Sequence, residues 1–163
     1  MSKGEIVTES AVRFERSLSG PVERVWEFLT EASRLPEWYG EGRIEPGEGG
    51  AVTLLGGHIR GVVTIWRPLQ ALGYTWNVLA PGETVSAWPV SYLEFALAPD
   101  GDGVKLTLTH RPIPEAMQKQ TAMGWHTFLD LAEAGLDGQF PKRAELFVQN
   151  AALYGVDMQK IQR

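Results

Sequence analysis

Cysteine is absent from the 163-residue sequence, and only three histidines occur in it. Without thiols the chain can form no disulfide, no thiol nucleophile and no thiolate metal site. The histidines are isolated and show no H-x-H or H-E-x-x-H spacing, so the sequence predicts no metal site and no cofactor. A G-x-S-x-G motif is also lacking, which removes the usual signature of a serine hydrolase.

Long apolar runs and an excess of positive charge are lacking too. No stretch approaches the about 18 apolar residues that span a bilayer, and the N-terminal MSKGEIVTES contains no apolar signal-peptide core. Fifteen basic and twenty acidic side chains give a net charge of −5, which disfavours binding to a phosphate backbone. The sequence therefore predicts a cytoplasmic protein with no membrane span and no nucleic-acid partner.

Apolar residues are plentiful, at 44% of the chain with six tryptophans, which is enough for one domain with a real core. The clearest periodic signal lies between Pro114 and Gly138 and predicts one long amphipathic helix. Its apolar face contains Met117, Thr121, Gly124, Trp125, Phe128, Ala132, Gly135 and Leu136. On the opposite face, His126 and Asp130 lie four residues apart and predict a solvated surface pair.

An alternating pattern precedes this helix. The stretch 10–17 predicts a first strand, and two short helical segments follow at 22–30 and 32–39. Turn residues then divide 40–112 into an antiparallel meander, with strands predicted at 42–45, 51–55, 58–66, 73–79, 90–98 and 104–111. In the last two strands one parity is apolar and is predicted to face the helix; it contains Leu93, Phe95, Leu97, Val104, Leu106, Leu108 and His110.

The segment after the long helix has a second helical pattern, from Pro141 to Tyr154. We therefore divide the chain into a domain at 1–139 and a helical extension at 140–163. One face of the extension is too apolar to remain in solvent, so we expect it to pack on the domain or on a partner subunit, covering a pocket mouth or building a homodimer. That face contains Ala144, Phe147, Val148, Ala151 and Tyr154.

Two parts of the sequence resemble a known family. RFERSLSGPVERVWEFLTEASRLPEWYG, with its P-x-x-x-V-W-x-x-L-T pattern, resembles the opening of the Hsp90 ATPase activator homologue family, in the START/Bet v 1-like (SRPBCC) superfamily. LTLTHRPIP followed by MGWHTFLDLAEAGLDG resembles that family's closing strand and helix. The resemblance extends from about Val12 to Leu136. It implies an α+β helix-grip fold, in which a curved antiparallel sheet of about seven strands wraps around the long helix.

The resemblance also implies a cavity between sheet and helix that often holds an apolar or aromatic small molecule. In the family pattern Trp125 faces the sheet and Trp38 sits near the opening. We expect a pocket of mostly apolar residues with a few polar groups. The candidate ligand-binding residues are Trp38, Trp66, Trp76, Trp88, Phe95, His110, Met117, Thr121, Trp125 and Phe128, and no catalytic residue is assigned.

Three functions are compatible with this resemblance, because the fold alone does not determine function. The first is non-catalytic binding of an apolar or aromatic small molecule, and the second is interaction with a chaperone. The third is a polyketide cyclase or dehydratase type of enzyme, in which His110 or Arg60 would act with a pocket carboxylate or hydroxyl. His110 is alternatively a satisfied core histidine. Gly124 costs about 1 kcal/mol relative to alanine, so either a strand approaches it closely or a ligand needs the room.

Overall fold

The computed structural model describes residues 10–80, 82–86 and 89–160. Seven antiparallel strands form one sheet in the order β1-β7-β6-β5-β4-β3-β2. The strands are β1 (Val12–Leu18), β2 (Gly42–Ile44), β3 (Ala51–Leu54), β4 (Ile59–Arg67), β5 (Ala71–Val78), β6 (Ser91–Asp100) and β7 (Gly103–Arg111). Strands β2 to β7 form the predicted meander, and β1 pairs with β7 at the other edge.

Four helices accompany the sheet in the described ranges. They are α1 (Val22–Thr30), α2 (Leu35–Trp38), α3 (Gln118–Leu136) and α4 (Arg143–Tyr154), and a short 3-10 turn at Glu115–Met117 leads into α3. The long helix is confirmed, although its first turn is wound more tightly than the rest. The predicted α+β helix-grip fold is confirmed as well. None of these helices is long and apolar enough to cross a membrane.

The core lies between α3 and the inner face of the sheet. Leu93, Leu106 and Leu108 on the sheet are at most 1% exposed, and the parity predicted from alternation is confirmed. Trp125 and Leu129 meet them from α3, at 3% and 1% exposure. Each fully buried side chain of this kind contributes about 1.5 to 3 kcal/mol, so the contact between α3 and the sheet adds several kcal/mol to the stability of the fold.

A β-bulge in β4 changes which way the end of that strand faces. The pairing of β4 with β5 shifts between Val63 and Ile65, so that Trp66 pairs with Leu72. Such a bulge inserts one residue and reverses the alternation of the side chains beyond it. Trp66 consequently packs against Trp26 of α1, with 5.2 Å between the ring centroids.

Helix α4 covers the side of α3 that faces away from the sheet. The His126 ring nitrogen Nδ1 lies 2.9 Å from the Tyr154 hydroxyl. Asn150 Nδ2 donates to Thr127 Oγ1 at 2.9 Å and to Asp130 Oδ2 at 3.1 Å. The predicted pair of His126 and Asp130 is present, with 3.6 Å between His126 Nε2 and Asp130 Oδ2. It is less exposed than predicted, at 25% and 23% of the two side chains, because a second helix lies over it.

The buried face of α4 differs in part from the predicted one. Ala151 is 3% exposed, and the Phe147 ring packs edge-on against Phe128, with centroids 5.8 Å apart. Ala144 and Val148 are exposed instead of buried. The reason is Asn150, which is 1% exposed and makes the polar contacts with α3. A pattern based on apolar residues alone does not include this asparagine in the buried face.

Replacing Asn150 by alanine is expected to lower the free energy of unfolding by about 2 kcal/mol, because hydrogen bonds to a charged group are lost from a buried site. Gln149→Ala is the matched control, since Gln149 is the exposed neighbour on the same helix and its loss should change stability by less than about 0.5 kcal/mol. Urea unfolding of both variants measures the difference. Equal stabilities would show that the Asn150 hydrogen bonds to α3 contribute nothing.

Candidate functional site

A cavity of about 200 Å³ lies between the first half of α3 and the sheet. Its helix wall consists of residues at three- and four-residue steps, which is one face of a helix: Met117, Gln120, Thr121, Gly124, Trp125 and Phe128. The sheet wall comes from β4 to β7 and contains Ile59, Trp76, Val78, Ser91 and His110. Connecting segments complete it with Leu55, His58, Pro89, Pro112, Ile113 and Pro114.

Gly124 faces open space. A Cβ atom added to this residue would meet no heavy atom within 4 Å, apart from its own helix backbone and chain neighbours. Of the two explanations for a glycine in the middle of α3, the structure supports room in the cavity and excludes close approach of a strand. Gly135 on the same helix is the contrasting case, since its added Cβ would lie 3.0 Å from a ring carbon of Phe28.

Charge is missing from the cavity wall. No Asp, Glu, Lys or Arg lines it in the part of the chain that the structure describes, and no group of three or more metal-ligating side chains occurs there either. His58 donates through Nδ1 to the Leu79 carbonyl at 2.9 Å, because a carbonyl oxygen can only accept. The wall therefore suits an uncharged ligand.

Three side chains at the base of the cavity form a directed hydrogen-bond chain, here called the Trp125–His110–Ser91 chain. Trp125 Nε1 donates to His110 Nδ1 at 3.0 Å, and His110 Nε2 lies 2.7 Å from Ser91 Oγ. An indole N–H can only donate, so Nδ1 must accept and the histidine proton must reside on Nε2. His110 therefore donates to Ser91, and Ser91 donates onward to the Trp76 carbonyl at 3.5 Å.

This direction is opposite to that of a nucleophilic serine–histidine pair. A catalytic histidine accepts the serine proton on a free ring nitrogen, while an acid group holds its other N–H. Here Nε2 carries a proton, and burial lowers the pKa of His110 to about 3. Arg60, the other residue considered for catalysis, is exposed outside the cavity. The arrangement is thus built to hold His110 neutral and does not activate Ser91 for attack.

Tyr39 supports the cavity wall from behind. Its ring stacks on Phe128, with centroids 4.9 Å apart and planes 17° apart, and it contacts Trp125 edge-on at 5.6 Å. Burial raises the pKa of Tyr39 well above its usual value, and the neighbouring Tyr74 hydroxyl raises it further. The aromatic wall is therefore packed rigidly on its far side.

The structure brings six of the predicted ligand-binding residues to the cavity: Trp76, His110, Met117, Thr121, Trp125 and Phe128. Three others lie elsewhere. Trp38 is not at an opening: it is 1% exposed and donates to the Phe28 carbonyl at 2.5 Å. Phe95 lies one layer deeper, beneath Trp125, and the β4 bulge turns Trp66 toward α1. Trp88 lies outside the described residues.

Sequence reasoning did not select Ser91 for the site and left the direction of His58 undecided. Ser91 has the same parity as Leu93 and pairs with Trp76 of β5, so extending the inward face of β6 by two residues would have found it. No comparable signal exists for His58. Its position depends on the turn after β3, which a local pattern does not specify.

A sheet that holds a long helix over an apolar cavity defines a helix-grip protein with a small-molecule-sized chamber. The chain belongs to the family described as "Activator of Hsp90 ATPase homolog 1-like protein", whose model matches residues 19–134, well over half of the sequence. This confirms the resemblance seen in the sequence. No curated protein matches the chain.

Solved structures share this fold. CalU16 from Micromonospora echinospora is 23% identical over 89% of this chain and 85% of its own, with a TM-score of 0.71. A Bordetella parapertussis protein is 24% identical over 100% of this chain and 92% of its own, with a TM-score of 0.68. The Aha1 dimer from Colwellia psychrerythraea is 18% identical over 77% of this chain and 95% of its own, with a TM-score of 0.61. At these identities the likeness concerns the fold.

Proposed function

We propose that this protein binds an uncharged, apolar or aromatic small molecule in the cavity and does not catalyse a reaction on it. The observation that carries the proposal is an open cavity with aromatic walls and no charged side chain in the described part of its lining. Burying an isolated charge there would cost far more free energy than apolar contacts with the wall would contribute. Binding by shape and apolar contact is the activity that such a wall supports best.

The cavity size limits the ligand. An apolar cavity of about 150 Å³ accommodates benzene, whereas drug-sized ligands occupy pockets of about 300 to 1,000 Å³. The volume of about 200 Å³ lies between these cases. A ligand of two fused rings is therefore the expected size. Trp76 and Trp125 would contact it directly, so their fluorescence reports binding.

Naphthalene is expected to raise the melting temperature, whereas 2-naphthoate, of similar shape but charged, is not. At about ten times its Kd the neutral ligand should add about 1.4 kcal/mol of stability, which corresponds to about 3 to 6 °C. The carboxylate of 2-naphthoate would meet no Lys or Arg side chain in the described part of the cavity wall to offset the cost of burying its charge. Thermal unfolding with each compound measures this. If naphthalene caused no shift, the proposed function would be refuted; equal shifts would refute its restriction to uncharged ligands.

A second candidate function is interaction with a chaperone or with a second copy of the chain. Membership of the Hsp90 activator homologue family and the fold of the Aha1 dimer favour it. Phe140, Val148 and Leu153 at and near α4 are 76%, 63% and 65% exposed, which is unusual for large apolar side chains. Stimulation of an Hsp90 ATPase by this protein would support the first partner. A change of molecular mass in solution on Val148→Asp would support the second.

A further inference from the structure

We infer that the Ser91 hydroxyl donates a hydrogen bond to a carbonyl oxygen of the ligand, so that the preferred ligands are aromatic ketones. The inference rests on the proposed function and narrows the class of ligand. It follows from the direction of the Trp125–His110–Ser91 chain and from the position of its last member in the cavity wall.

Every hydrogen bond in the chain points toward Ser91. The indole N–H of Trp125 occupies the Nδ1 lone pair of His110, and the Nε2 proton of His110 occupies one lone pair of Ser91 Oγ. Ser91 can therefore not use its own hydrogen toward His110. That hydrogen must point to another acceptor, either the Trp76 carbonyl or a group in the cavity.

The Trp76 carbonyl holds this hydrogen only weakly. Its oxygen lies 3.5 Å from Ser91 Oγ, whereas a normal O–H···O bond measures about 2.5 to 3.0 Å. The Ser91 side chain also lines the cavity, although the residue is only 5% exposed. A small rotation of the hydroxyl therefore directs its hydrogen into the cavity. Donors in series polarise one another, which makes the last one a better donor.

The other polar groups of the wall fit this assignment. His58 uses Nδ1–H on the Leu79 carbonyl, so this N–H does not donate to a carbonyl oxygen of the ligand. Thr121, the second hydroxyl of the wall, and the side-chain amide of Gln120 are the competing donors. Since no charged group lines the described part of the cavity, the acceptor on the ligand must be an uncharged oxygen.

The first test needs no variant. The C=O stretching band of 1-tetralone bound to the full chain is compared with the band of 1-tetralone in hexane. A hydrogen bond from the protein weakens the C=O bond, so the bound band should lie at a lower frequency. An unshifted band overturns the inference. Tetralin, the matched hydrocarbon without the carbonyl, measures binding by shape alone.

The second test identifies the donor. In the Ser91→Ala variant, the preference for 1-tetralone over tetralin, expressed as the ratio of the two Kd values, should fall about tenfold, the size of a single hydrogen bond. In Thr121→Val the ratio should change by less than about twofold. A fall in Thr121→Val and none in Ser91→Ala would overturn the assignment, with Thr121 as the donor.

The two compounds separate failure of the inference from failure of the proposed function. If neither compound binds the unmodified protein, the proposed function is wrong. If both bind, but the carbonyl band is unshifted and Ser91→Ala keeps the ratio, only the inference is wrong. Should Ser91→Ala not fold, because the His110 N–H loses its acceptor, the band of the unmodified protein still shows whether the protein donates to the carbonyl, and Thr121→Val shows whether Thr121 is that donor.

Discussion

Gly124→Leu is expected to weaken ligand binding strongly while raising the stability of the protein. The leucine side chain would extend into space that holds no other atom within 4 Å of its Cβ. Competition for this space costs a bound bicyclic ligand about 1 to 3 kcal/mol, which is a loss of about 5- to 150-fold in affinity. The same change replaces a helical glycine and fills part of the cavity, so unfolding should become harder by about 1 kcal/mol or more.

Two alanine variants on the same helix separate these effects. Gly124→Ala should stabilise the protein by about 1 kcal/mol and weaken ligand binding only slightly, because one methyl group fills little of the cavity. Gly135→Ala should not gain this stability, since its Cβ would press on the Phe28 ring at 3.0 Å. Tryptophan fluorescence titration with naphthalene and urea unfolding measure the two quantities. A Gly124→Leu protein that binds naphthalene normally would place the ligand outside this cavity.

Acidification is expected to destabilise the fold through His110. Burial lowers the pKa of His110 to about 3, whereas in the unfolded chain it takes the ordinary value near 6.5. Between these values the unfolded state binds more protons, so stability is complete above about pH 6.5 and falls as the pH drops toward 3. Protonation of His110 would also add an N–H at Nδ1, and this donor would face the indole N–H of Trp125, which is a donor as well. From pH 7 to pH 5 the free energy of unfolding should fall by about 2 kcal/mol.

His110→Gln removes the titration and can keep the hydrogen bonds. The amide oxygen can accept from Trp125, and the amide nitrogen can donate to Ser91. Between pH 7 and pH 5 the free energy of unfolding should therefore fall by about 2 kcal/mol less in the variant than in the unmodified protein. Carboxylates elsewhere contribute equally to both proteins and cancel in this comparison. His110→Leu, which breaks both bonds, should be less stable than His110→Gln at pH 7. Parallel pH curves for the unmodified protein and His110→Gln would contradict the buried neutral state of His110.

Residues with a regular period were predicted well, and residues placed by a local irregularity or by a distant helix were not. Met117, Thr121 and Trp125 reach the cavity because a helix repeats at a fixed interval, which can be counted in the sequence. Trp66 packs against α1 because a bulge reverses the alternation of the side chains in β4, and no sequence pattern nearby predicts that bulge. His126 was placed in solvent because only packing reveals that α4 lies over it.

The same difference between periodic patterns and distant contacts explains which features of the site could be predicted from the sequence. The parity of β7 put His110 on the inner face, but whether it was a ligand group or a satisfied core residue depended on two partners far away in the chain. Trp125 comes from α3 and Ser91 from β6, and only the folded arrangement shows that one donates to the histidine and the other receives from it.

By itself, the sequence determined the family, the order of the strands and the long helix, because composition, alternation and helical period are properties of neighbouring residues. Only the tertiary structure decided that the space beside Gly124 is open and that the wall carries no charge in its described part. A cavity is the volume that distant side chains leave unfilled. It therefore depends on how well they pack together, which no local pattern records.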